Sequence, residues 1–141
     1  MTPQALKNFI EMYESLSKDN LQQIRDVYSD EVLFKDALHE VNGIDDLEAY
    51  FEALYTNLLY CKFEITDVQS GEGNAYVRWE MQYAHSQLAG KKNIKVDGVS
   101  HLKFEDKITY HRDYIDMGQM LYEHIPVLGA AIRFIKKRAV S

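Results

Sequence analysis

The 141-residue sequence is sparing with the residues that cross-link or punctuate a chain. Cysteine occurs once, at Cys61, so no disulfide can form within the chain and a reducing compartment is the natural setting. Two prolines, seven glycines and no serine- or glycine-rich stretch leave nothing that reads as a linker, which favours one domain. No apolar run approaches the ~18 residues that cross a bilayer. Met1-Thr2-Pro3-Gln4 has neither the basic segment nor the apolar stretch of a secretory leader. The expected location is the cytoplasm. Nucleotide and cofactor signatures are missing as well. There is no G-x-S-x-G, no Walker loop and no dinucleotide fingerprint, and Gly71-x-Gly73 reads as a hairpin turn. No cofactor is expected.

Positive charge is scarce outside the C-terminus. The net charge is −6, yet Arg133, Lys136, Lys137 and Arg138 fall among the last nine residues, which contain no acid. The rest of the chain sets 12 basic against 22 acidic side chains. Phosphate contacts need a basic stripe, so an acidic body argues against nucleic acid as a partner. Hydrophobic residues make up 46% of the chain, enough for one good core and incompatible with disorder.

What is present is a clear sequence of periodicities. Thr2-Pro3 reads as a cap followed by the first helical position, and Leu6, Phe9, Ile10, Tyr13 and Leu16 continue at helical spacing. Asp19-Asn20 restarts a short helix carrying Leu21, Ile24, Val27 and Tyr28. Val32 to Phe34 predicts a brief strand ending in Asp36, followed by loop to Gly43. Leu47, Tyr50, Phe51, Leu54, Tyr55, Leu58 and Leu59 mark a third helix, with Asp45 and Asp46 in its first turn where the helix dipole favours acids. From Cys61 the period becomes two. Strands are expected over 62–69, 75–86, 94–104 and 108–116, divided by Gly71–Asn74, Gly90–Asn93 and Glu105-Asp106. Three helices followed by four adjacent antiparallel strands make an α+β arrangement.

Alternation divides the second of these strands into Val77, Trp79, Met81 and Tyr83 against Tyr76, Arg78, Glu80 and Gln82. The fourth divides into Ile108, Tyr110, Arg112 and Tyr114 against Thr109, His111, Asp113 and Ile115. Two arrangements follow. Either the helices cover the aromatic row and the charges face water, or the helices cover the ionisable row and the rings meet a second subunit, because so large an apolar patch is rare on monomers. Alternation leaves both open.

The element order, up to about Asp116, resembles the superfamily of nuclear transport factor 2, ketosteroid isomerase and the SnoaL-like polyketide cyclases. The resemblance implies a cone-shaped curved antiparallel sheet wrapped by three N-terminal helices. On this reading residues 1–124 form the domain and 125–141 a basic amphipathic helical extension. The segment Lys107-Ile108-Thr109-Tyr110-His111-Arg112-Asp113-Tyr114-Ile115-Asp116 is similar to the last-strand motif of limonene-1,2-epoxide hydrolase, and Arg78-Trp79-Glu80 to its R-x-D. The resemblance implies Asp113 as base, Glu80 as acid and Arg78 between them, all on an inward ionisable face. Two carboxyls around one guanidinium can hold unequal proton affinities and divide such work. Phe34 and Asp36 stand where the hydrolase has the water-holding Tyr and Asn. Asp36 also matches the proton-abstracting Asp of ketosteroid isomerases, Tyr13 lies near their oxyanion-hole Tyr, and Ser100 falls at their second donor. Tyr76 and His111 complete the expected substrate contacts.

The other chemistry-bearing residues read more plainly. His39, His85, His101, His111 and His124 lack the spacing of a metal site, and no metal is expected. Cys61 reads as buried and inert. The extension, with Val127, Leu128, Ile132, Phe134 and Ile135 beside its four cations, reads as a helix over the cone mouth, with a membrane-surface or protein contact as the rival. The expected partners are a small apolar ligand and a second copy of the chain, joined through Val77, Trp79, Met81, Tyr83, Tyr110 and Tyr114. Function divides between acid–base chemistry on that ligand (epoxide hydrolase-, isomerase- or cyclase-like) and a non-catalytic binding or interaction module.

Overall fold

The computed structural model describes residues 2–86, 90, 92–116, 118, 134–135 and 137–139. The helical spacing near the start becomes α1 (Gln4–Ser15), which buries Leu6, Phe9, Met12 and Tyr13 along one stripe. Pro3 holds the cap position, and no side chain caps the helix. A 3₁₀ turn (Leu21–Gln23) and a single α-turn, α2 (Ile24–Val27), lead into β1 (Tyr28–Lys35). Tyr28 is therefore the first residue of a strand, where helical spacing had placed it at a helix end. A short β2 (Glu40–Asn42) occupies part of the expected loop. Gly43, at φ +89°, makes the turn into α3 (Ile44–Thr56). That helix stops before Leu58 and Leu59, which open β3 (Leu58–Gly71). The strands β4 (Asn74–His85), β5 (Ile94–Phe104) and β6 (Ile108–Ile115) complete the chain's sheet.

The six strands form one curved, unclosed sheet in the order β2-β1-β6-β5-β4-β3. Neighbours are antiparallel except β1 and β6, which run parallel with Phe34 opposite His111. The fold is thus α+β as expected, with a mixed sheet of six strands where the sequence indicated five. No helix among the described residues is long and apolar enough to cross a membrane.

Register decides which side chains face the helices. Directly paired residues project to the same side of a sheet, so three rungs cross the inner face: Ala75, Leu102, His111 and Phe34; Val77, Ser100 and Asp113; Trp79, Gly98 and Ile115. Val77, Trp79 and Tyr83 are buried, and Val77 and Trp79 share a core with Phe9, Tyr13, Phe51 and Tyr55 of the helices. The expectation that the helices cover the ionisable row of β4 is overturned. Arg78 is exposed, Tyr76 is 46% exposed, and Glu80 is only half-buried. Burying Trp79 removes a large ring from water, whereas burying Arg78 and Glu80 costs desolvation that only close pairing offsets. On β6 the ionisable row is the inward one, because Asp113 pairs with Ser100 and Ser100 with Val77. The dimer surface proposed from sequence falls apart accordingly. Val77, Trp79 and Tyr83 are core, Met81 packs against it, and only Tyr110 and Tyr114 remain on the outer face.

Gly98 explains how the indole fits. A Cβ there would lie 2.3 Å and 2.4 Å from the Cη2 and Cζ2 atoms of Trp79 and 2.8 Å from Cγ2 of Ile115. The ring rests where a side chain would otherwise be. Most of the extension, including Val127, Leu128 and Ile132, lies outside the described residues; Phe134 and Ile135 are exposed.

Candidate functional site

Helices α1 and α3 and the inner faces of β3, β4 and β6 enclose a cavity of about 360 Å³. Rings supply much of its wall, among them Tyr13, Phe34, Phe51, Phe63 and Trp79, and its carboxylates among the described residues are Asp36 and Asp113. No lysine or arginine lines it among the described residues.

Asp113 is the centre of a chain of hydrogen bonds reaching in two directions. Its Oδ1 is 2.6 Å from Nε2 of His111 and accepts the Ser100 hydroxyl at 2.6 Å. Ser100 in turn accepts the indole N–H of Trp79 at 2.9 Å. On the other side, Nδ1 of His111 lies 2.7 Å from the Tyr28 hydroxyl, which lies 2.7 Å from the Tyr13 hydroxyl. His111 is wholly enclosed, stacked on Tyr28 and edged by Phe9, Tyr13 and Phe34. Burial holds the Tyr13 and Tyr28 phenols well above their ordinary range, so both keep their protons. Ser100 is 1% exposed. A buried network of this kind is tolerable only because each member has its partner. Both bonds to Asp113 fall on Oδ1; its Oδ2 has no hydrogen bond among the described residues, and the side chain keeps 20% of its exposure, on the cavity.

The second carboxylate is differently placed. Oδ1 of Asp36 accepts the backbone N–H groups of Leu38 and His39 at 2.8 Å, closing the turn between β1 and β2. Its Oδ2 accepts the Tyr50 hydroxyl in a short bond, and burial, with this bond second, raises the Tyr50 phenol far above its ordinary range. Asp36 thus lines the cavity with both oxygens taken.

The expected site residues separate into three groups. Asp113, Asp36, Tyr13 and Phe34 line the cavity. His111 and Ser100 stand one layer behind Asp113 instead of touching the cavity, because Asp113 takes up the bond each has to offer. Arg78, Glu80 and Tyr76 are on the opposite side of the sheet: Tyr76 stacks on His101 at 4.4 Å, and Glu80 accepts a bond from Gln82 at 3.3 Å. No ion pair joins Arg78 to Glu80 or Asp113 among the described residues. The Asp–Arg–Glu arrangement of the epoxide hydrolase therefore does not assemble. Trp79, Tyr28 and Tyr50 were missed as site residues. Gly98 signals the first, since an interior strand glycine marks a close approach; the tyrosines carry no local signal.

Residues 9–111 match the family model of the SnoaL-like domain, most of the described chain and nearly all of the cavity wall. The chain belongs to the SnoaL-like domain family. Solved structures repeat the SnoaL-like cone at low identity. A candidate SnoaL-like polyketide cyclase from Jannaschia sp. CCS1 aligns at TM-score 0.70 and 14% identity, over 81% of this chain and 86% of that one. A nuclear transport factor 2-like protein of unknown function from Burkholderia pseudomallei aligns at 0.75 and 12%, over 85% and 96%. A ketosteroid isomerase-like protein from Catenulispora acidiphila, in complex with trimethylamine, aligns at 0.74 and 11%, over 86% and 92%. These likenesses speak for the SnoaL-like fold. No curated protein matches the sequence.

Proposed function

We propose that this chain is a cofactor-independent acid–base catalyst of the isomerase or cyclase type, acting on a small, largely apolar molecule, with Asp113 as the proton acceptor. The observation that carries the reading is the division of labour on one carboxylate: two donors fix Oδ1, Oδ2 has no hydrogen bond among the described residues, and the side chain lines a mostly apolar cavity. A base must be aimed and partly shielded from water to compete for a substrate proton. His111 does the aiming, and Tyr28 fixes the ring through its other nitrogen. The cyclase and ketosteroid isomerase names borne by structural neighbours agree with such chemistry.

A second reading, a binding module without catalysis, is favoured by a specific observation. With Arg78 and Glu80 outside and Asp36 saturated, Asp113 is, among the described residues, the one carboxylate in the cavity wall with an oxygen not hydrogen-bonded. Incubation with a panel of small alcohols, phenols and carbonyl compounds, followed by chromatography with mass detection, separates the two. Catalysis predicts an isomerised or cyclised product from wild type, formed about 10²-fold or more slowly by Asp113→Asn. Product formed equally by both proteins would remove Asp113 as base. Ligands that bind without conversion would leave the binding module.

A further inference from the structure

The direction of each hydrogen bond around Asp113 can be worked out from what each group is able to give. An indole nitrogen only donates. Trp79 therefore donates to Ser100, and the single Ser100 proton goes to Asp113. An ionised carboxylate only accepts, so His111 donates to it through Nε2–H, and in the neutral imidazole Nδ1 is then the acceptor. Nδ1 takes the Tyr28 proton. Tyr28 then has none to give, and the 2.7 Å contact with Tyr13 is made by the Tyr13 proton. The bonds thus point from both ends towards Asp113.

This order has a result at the cavity wall. Tyr13 lines the cavity, but its proton is committed to Tyr28, so its hydroxyl has only lone pairs left to offer. Tyr50 lines it too, and its proton is committed to Asp36. Trp79 has given its N–H to Ser100. With Oδ2 of Asp113 these make a set of acceptors at the Asp113 end of the cavity, while the enclosed Tyr55 hydroxyl is bonded to Cys61. Of the lining side chains that can still donate, Asn57 and His39 are exposed to solvent.

We infer that the cavity selects molecules bearing a hydroxyl or protonated nitrogen over those offering only acceptors, such as ketones and esters. The inference rests on Asp113 as the working carboxylate, and it places the proton that Asp113 removes on the ligand's O–H or N–H. It also assigns Tyr13 the opposite polarity to an oxyanion-stabilising donor.

Two measurements test this. The first needs no ligand: the ¹⁵N shifts of His111 at neutral pH should show a protonated Nε2 and an unprotonated Nδ1. The reverse tautomer, or an imidazolium protonated on both nitrogens, would turn Tyr13 into a donor and overturn the inference. The second is a fragment library in which every skeleton occurs as ketone, alcohol and amine, ranked by ligand-observed NMR. Within a set, the alcohol or the amine should bind about fivefold or more tightly than the ketone, since leaving a buried acceptor unpaired costs about 1–3 kcal/mol. Asp113→Asn, which introduces an N–H₂ donor, should narrow or invert the order. The alcohol leading points to a hydroxyl-bearing ligand, and the amine leading to a cationic one. Ketones leading in wild type would overturn the inference while leaving Asp113 as base intact; a library without a single binder would remove the cavity as a ligand site and both readings with it.

Discussion

Gly98→Ala puts the assignment of faces at risk with one methyl group. The added Cβ would sit 2.3–2.4 Å from two carbons of the Trp79 ring and 2.8 Å from Ile115. The indole must tilt or the strand must move. Overpacking of this kind costs about 1–3 kcal/mol. A tilted ring also gives up the 2.9 Å bond to Ser100, worth about 1 kcal/mol more. Unfolding entropy near ~2.1 cal/mol/K per residue gives a chain of this length roughly 0.3 kcal/mol/K. A loss of about 2–4 kcal/mol then lowers Tm by roughly 7–13 °C. Differential scanning calorimetry reads the stability, and emission from Trp79, the only tryptophan, reads its surroundings. The emission should shift to the red in Gly98→Ala, and Trp79→Leu in the same background should recover part of the lost Tm. An unchanged Tm with unchanged emission would refute the reasoning, because it would mean that the ring does not lie on Gly98 and that the inner face has been assigned to the wrong row.

Other consequences can be checked more quickly. Arg78→Ala and Glu80→Ala should each alter stability by no more than about 0.5 kcal/mol in urea melts, since neither side chain enters the cavity; a loss of several kcal/mol would show a buried role. Burial pushes the Cys61 thiol from 9.0 up to about 11, so the folded state resists its ionisation. The sign follows from a folded value above the unfolded one: the contribution is complete below pH 9 and is lost between pH 9 and 11. Over that window wild type should lose up to about 2–3 kcal/mol more than Cys61→Ala, and parallel melts at pH 8 and pH 11 would show whether it does. If the outer face, with Tyr76 and Tyr114 exposed, meets a second copy, light scattering should give twice the 16.4 kDa of one chain, and Tyr114→Glu should halve it. Equal masses for the two proteins would exclude Tyr114 from the contact.

Much of the architecture could be read directly from periodicity. The spacing of Leu47, Phe51 and Tyr55 marks α3, and Ile94–Phe104 is the strand that alternation predicts. Sidedness was not readable in the same way. Alternation sorts the residues of one strand into two rows but does not say which row of β4 belongs with which row of β6. That depends on the pairing of Val77 with Ser100 and of Ser100 with Asp113, which is set by two hairpins and a bulge beside Phe104. Grouping Arg78 with Asp113 by chemical type crossed the sheet. Asp113 itself was legible because its strand motif is distinctive. Its support was not: Tyr28 and His111 are 83 residues apart, and no local pattern joins them. Asp36 shows the reverse case, where a plain turn-closing role accounts for the bonds its Oδ1 makes.

The parallel pairing of β1 with β6 also bears on how the molecule is made. Tyr28–Lys35 leaves the ribosome with one long side of its backbone unbonded, and its neighbour Ile108–Ile115 follows only after most of the polypeptide has been synthesised. At ~5–20 residues per second the interval is roughly 4–16 s. During that time an apolar strand edge is available to other nascent chains, and the ring of Tyr28 has no imidazole to rest on. Fragments that stop short of residue 108 should consequently accumulate as aggregates.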